Sequence, residues 1–282
     1  MSRPLALWLA AALLALAAGC STPVLNRGSP AQARLTEAEA RAATLARSGD
    51  YAGAARFYGE ALRIATSLEN ADAIAANAIN LSIVNQWLGR DAQARDALAA
   101  VLDAPRVNFS ERRKIQTELR RAILELAGGN VGAAALWAGE AERHCAQTSC
   151  EYAATLLNVR AQIELESGRP AEAARLAQAA AERSRGEAGR AEAANALRIL
   201  GRSRIAAGEP SAAFEPLRSA LDIDRELGDP RKILADLAEL ARAADAAGDT
   251  DGARRYQERS VAVSRAMHEA KSGAEMEVLL RR

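Results

Sequence analysis

Small and apolar residues recur along this chain in register with a set of glycines. The stretch Ala191 to Ile223 reads as two helices folded against each other, with the turn at Gly208. Equivalent glycines stand at Gly49, Gly89, Gly129, Gly168 and Gly248, so the successive spacings are 40, 40, 40, 39 and 40 residues. Five residues after each glycine stands an alanine: Ala54, Ala94, Ala134, Ala173, Ala213 and Ala253. Seven residues before, the side chain is again small: Ala42, Ser82, Ala122, Ala161, Gly201 and Ala241. A third column lies twelve residues after: Ala61, Val101, Ala141, Ala180, Ala220 and Ser260. Small side chains let helix backbones approach closely, and a repeat of this length predicts a stacked solenoid of paired helices. Glycine at each turn supplies the left-handed conformation that ends the first helix of a pair.

At these residues the chain resembles a tetratricopeptide-repeat array. The pattern is carried by Leu200-Gly201, Gly208, Ala213 and Ala220, and by Gly49-Asp50-Tyr51 with Ala54, Tyr58 and Ala61. Ala220-Leu221-Asp222-Ile223 with Leu227-Gly228-Asp229 is similar to the roughly forty-residue subtype seen in kinesin light chains and bacterial peptide-sensing regulators. The resemblance implies an all-α fold, a right-handed α-solenoid of about six helix-turn-helix repeats over residues 34–267, with a C-terminal cap or tail at 268–282. One departure stands out. The aromatic usually found four residues before the turn glycine is replaced by Leu45, Asn85, Glu125, Glu164, Arg204 and Ala244.

The N-terminus has a different pattern. Arg3 is the only charge before an apolar run from Leu5 to Ala18, too short to span a bilayer but suited to a secretory leader. The run ends in Leu16-Ala17-Ala18-Gly19-Cys20, which resembles a bacterial lipobox, with Ala17 where that family prefers leucine. The resemblance implies a cleaved leader over residues 1–19, lipid attachment at Cys20 and a flexible tether through residue 33. Several acyl chains anchor a protein stably. Ser21 after the cysteine points, by family analogy, to the outer membrane with the repeats facing the periplasm.

Composition fits that picture. Removing Arg3 with the leader leaves 36 basic residues from 37, against 36 acidic ones, a neutral chain that argues against nucleic acid as partner. Apart from Cys20, the cysteines are Cys145 and Cys150, between the third and fourth repeats. In an oxidising compartment a disulfide closing this loop is the natural reading. The competing readings are a metal site shared with His144, which lacks an obvious fourth ligand, and two free thiols. Pro105 is expected to end the second repeat, and Pro216 to kink a helix that starts at Pro210. No glycine-rich phosphate loop, nucleophile elbow or metal-spaced cluster is present, so neither an enzyme nor a cofactor is expected.

In the resembled family the first helix of each pair lines the concave face. Its groove columns fall thirteen, ten, nine, six and two residues before each turn glycine. They select Asn80, Ile83 and Trp87 in repeat two, Asn158 and Gln162 in repeat four, Asn195, Arg198 and Arg202 in repeat five, and Arg242 in repeat six. Asn80-Leu81 resembles the inner-helix Asn-Leu whose amide pairs with the backbone of an extended peptide, and the arginines suit a carboxylate. The same helix faces could equally be solvated or packed. The expectation is a lipid-anchored adaptor holding a protein or peptide segment in its concave groove. A peptide-sensing regulator in the envelope is the alternative.

Overall fold

The computed structural model describes residues 29–280 apart from 105, 106, 148 and 185, and for 268 and 270–280 it describes the backbone alone. The leader, Cys20, the tether as far as residue 28 and Pro105 lie outside the described residues. Twelve α-helices follow in pairs among those described. They are α1 (Pro30–Arg47) and α2 (Tyr51–Ser67), α3 (Ala71–Trp87) and α4 (Asp91–Leu102), α5 (Glu111–Ala127) and α6 (Val131–Cys145). Next come α7 (Ala153–Glu166) and α8 (Pro170–Arg183), α9 (Arg190–Ala206) and α10 (Phe214–Leu227), α11 (Pro230–Ala246) and α12 (Thr250–Leu280). The fold is an all-α solenoid of six repeats, and none of the described helices is long and apolar enough to cross a membrane.

The three small columns form its spine. All six alanines five places after the turn glycines are buried, as are Ala42, Ser82, Ala122, Ala161, Gly201 and Ala241. Gly201 marks a close helix approach: a Cβ built there would lie 2.4 Å from Leu217 Cγ. The core is therefore a string of small clusters, one passing to the next, and not a single centre.

The intra-repeat turns share a plan. The six phase glycines take φ between +69° and +85°, which L side chains rarely adopt. At every phase glycine but Gly49, the next backbone N–H returns to the carbonyl four residues before the glycine, as in Asn130 to Glu125 (2.8 Å) and Glu209 to Arg204 (2.9 Å). In three repeats the place of the missing aromatic is put to use. At that position Glu125 accepts from Asn130 Nδ2 (3.0 Å), Arg204 donates to Glu209 (2.7 Å), and Glu164 accepts from Arg169, so side-chain pairs fasten the turn instead.

Curvature follows from which helices touch. Each odd-numbered helix from α3 onward packs against the next odd-numbered one, while the even-numbered helices have no comparable contact. The odd helices therefore line the inner face.

Several boundaries differ from expectation. The first helix starts at Pro30, inside the stretch read as tether, because Ser29 caps it: Ser29 Oγ accepts from the N–H of Gln32 at 3.2 Å. Pro216 bends nothing. Residues 210–213 form a 3₁₀ turn and α10 begins at Phe214, so Pro216 sits in the first turn, where a missing N–H costs no helical bond. The helix of the last repeat runs on without a break past Met267 to Leu280.

Cys145 closes α6, its Cα lies 5.0 Å from that of Cys150, and the two are joined as a disulfide. The metal reading falls with that bond, since His144 is directed away to Glu118, with Nδ1 2.9 Å from the carboxylate.

Candidate functional site

The inner face of repeats three to six encloses an open cavity of about 470 Å³. Ile123, Leu126, Val159 and Ile199 supply its apolar wall, and Asn158, Gln162, Asn195, Arg198, Arg202 and Lys232 most of its polar lining. Five of the groove residues read from the sequence thus converge on one site. Asn80, Ile83 and Trp87 lie elsewhere, on α3. Arg242 borders only smaller depressions on α11, where it is exposed and pairs with Glu239.

The five are not equally free. Arg198 is buried by α10 and α11: its Nε donates to Asp236 Oδ1 at 2.6 Å, and Nη2 to Asp224. It is a tie between repeats five and six before it is anything else. Arg202 donates to Gln162 Oε1 (2.8 Å) and Glu166 Oε1 (2.9 Å), joining repeat five to repeat four. Asn158 is also buried, its Nδ2 donating to the carbonyl (3.0 Å) and carboxylate (2.8 Å) of Glu192. Its Oδ1 has no hydrogen-bond partner among the described residues. A buried acceptor left without a donor is costly, so a binding site is a natural place for one.

Lys232 was not among the expected residues. Its Nζ donates to Asn195 Oδ1 at 2.8 Å, and it is in no ion pair among the described residues, although Asp224, Asp229 and Glu192 lie near enough to act on its charge. Burial and the nearby Arg198 hold its pKa below the ordinary lysine value. Asp229 positions it, accepting from the N–H groups of Arg231 (3.1 Å) and Lys232 (3.3 Å) as the N-cap of α11. Glu192 and Lys232 both stand sixteen residues before their turn glycines, so one further column, a turn upstream, would have found them.

Burial likewise governs the acids behind the cavity. Asp236, fully buried, is raised to about 7 by desolvation, with Arg198 opposing and Asp224 reinforcing the shift. On the other side, Arg120 is lowered to about 10 by burial while donating to Ser82 Oγ (3.0 Å) and the Ser82 carbonyl (3.1 Å). These residues hold helices together. Within the cavity, Asn158 Oδ1 lacks a hydrogen-bond partner and Lys232 Nζ is in no ion pair among the described residues.

A family model described as tetratricopeptide repeat matches residues 151–226, the walls of this cavity in repeats four and five. Residues 151–226 thus match the tetratricopeptide-repeat family. No curated protein matches it. Two solved structures are similar to this chain in fold. One is BtubC (BKLC) from P. vanneervenii, with TM-score 0.54 and 19% identity over 86% of this chain and 93% of that one. The other is a Rap protein complexed with competence and sporulation factor, with TM-score 0.57 and 17% identity over 84% of this chain and 66% of that one. At such identities the likeness is one of fold.

Proposed function

We propose that this chain is a protein-interaction adaptor that holds an extended segment of a partner in the cavity of repeats three to six. The observation that carries the reading is the pairing, in one 470 Å³ cavity, of a buried acceptor at Asn158 Oδ1 that lacks a hydrogen-bond partner with a lysine that is in no ion pair among the described residues. Asn158 accepts a backbone N–H of the segment, Lys232 receives a carboxylate, and the wall of Ile123, Val159 and Ile199 takes an apolar side chain. Glu192 and Asn195, which hold these two groups, are one helical turn apart, so a compact segment reaches both. Nothing in this arrangement calls for a nucleophile or a metal.

The adaptor works at the bacterial outer membrane, tethered through lipid on Cys20 and facing the periplasm, in the assembly of an envelope machine or the recruitment of cell-wall enzymes. The reading rests on the lipobox-like Leu16–Cys20 stretch. Metabolic labelling with a palmitate analogue tests it: wild type labels, Cys20→Ala does not, and labelling that survives the substitution would end the anchor. The second reading, a peptide-sensing regulator, is favoured by the likeness to a Rap protein complexed with competence and sporulation factor.

Site-specific photo-crosslinking in cells tests the groove. Probes at Thr155 and Ile123, both on the cavity wall, are expected to give one discrete product. A probe at Arg175, exposed on α8, is expected to give none. Equal labelling at all three sites would remove the cavity as the working surface.

A further inference from the structure

Trp87 ends α3 and is 40% exposed, the largest exposed side chain of the solenoid's apolar set. Tyr51 opens α2, and the two rings lie 4.9 Å apart at 56°. Against this pair sits a residue from the far end of the chain. The guanidinium carbon of Arg231, in the first turn of α11, lies 3.4 Å from the centroid of Trp87 and 5.2 Å from that of Tyr51. Its Nη1 is buried and has no hydrogen-bond partner among the described residues. Aromatic faces hold this charge.

Other arginine–ring contacts join near neighbours: Arg41 to Phe57, Arg121 to Trp137, Arg218 to Phe214 and Arg259 to Tyr256. Extensive helix packing likewise joins helices one or two places apart. The Arg231 contact spans from the sixth repeat to the first two, so it closes the turn of the superhelix on itself through side chains.

We propose that Arg231 is a releasable clasp: stacked on Trp87 and beside Tyr51, it holds the first two repeats against the sixth and so sets the opening of the groove. Three features fit a contact that opens. It crosses a gap with little backbone packing to hold it. It gives the guanidinium no acceptor at Nη1, so water offsets part of what release costs. And it shares a cap with the cavity, since Asp229 accepts from both the Arg231 and the Lys232 N–H groups. A ligand that moves Lys232 therefore moves the clasp, and two arrangements close in free energy are shifted by whatever binds one of them better. This coupling rests on the proposed function; the clasp itself does not.

Small-angle scattering on the full chain, with circular dichroism for helix content, reads the clasp. Arg231→Ala and Trp87→Ala are expected to raise the radius of gyration by the same amount at unchanged helicity. The double variant is expected to show no further rise, and Arg231→Lys, which keeps a cation, to stay nearer the wild type. An unchanged radius in both alanine variants would overturn the proposal. Loss of helicity in both would overturn it too, by making the contact a fixed part of the fold. The coupling has its own reading: Trp87→Ala should increase photo-crosslinking from Thr155. A raised radius with unaltered crosslinking would sink the coupling to the cavity and leave the clasp standing.

Discussion

Repeats one and two and repeats four to six solve the same packing problem with different chemistry. In the first two, Leu35, Ile74, Ala75 and Ala78 form an apolar cluster, and the buried Asn77 spends its amide on Glu39 (2.7 Å) and the Ala73 carbonyl (2.8 Å). In the later repeats charge is buried between helices. Arg198 faces Asp224 and Asp236, and Asn158, Arg231, Asp236 and Glu239 each retain a buried polar atom without a hydrogen-bond partner among the described residues. The alanine columns run through both regions alike. The difference therefore does not come from the spine but from the inner helices, where the later repeats leave polar capacity unspent. A fold needs no such surplus, and buried groups without partners reduce its stability. The proposed function puts the Asn158 part of that surplus to use.

The contrast can be broken most forcefully at Arg198. Arg198→Ala strands two buried carboxylates and should destabilise the chain by about 3–5 kcal/mol, read by chemical denaturation. Leu35→Ala in the first repeat should cost about 2–5 kcal/mol through its cavity, a loss that does not vary with pH. Gly201→Ala, which drives a Cβ towards Leu217, should cost about 1–3 kcal/mol, with thermal unfolding as the check.

A pH series sharpens the same contrast. Asp236 has a reference value of 3.8 and is held at about 7 in the fold. A carboxyl raised in this way contributes stability that is complete below the unfolded value. That contribution declines as pH rises from about 4 and is gone above about 7. Stability should therefore fall across that window, and Asp236→Asn should flatten the fall. A slope that persists in Asp236→Asn would place its source elsewhere. The smallest effect belongs to Glu69, the non-glycine residue at positive φ (49°). Glu69→Gly should gain roughly 0.5 kcal/mol, strain relief outweighing the added freedom of the unfolded chain.

How much of this was written in the sequence depends on how local the cause is. Columns of alanine and turn glycines reveal the solenoid because close helix approach and positive φ are demands on single residues. The phase of the groove follows from the same glycines, and it brought Asn158, Gln162, Asn195, Arg198 and Arg202 to one cavity. What it could not reveal was how each is used. Arg198 is buried because α10 and α11 both bring an aspartate to it, and neither lies on its own helix. Trp87 was placed with the groove, yet its neighbours are Tyr51 and Arg231, which meet only once the superhelix closes. Pro216 fits because a 3₁₀ turn precedes it, a local choice that the proline pattern alone does not announce.

The central claim is that the working surface lies in the later repeats. Thr155 and Ala76 occupy the same column, thirteen residues before the turn glycines of repeats four and two. Photo-crosslinking from these two positions in one experiment compares the regions directly. A discrete product from Thr155, lost in Lys232→Gln and absent from Ala76, is the predicted result. A product from Ala76 alone, or one from Thr155 that is indifferent to Lys232, would contradict the account.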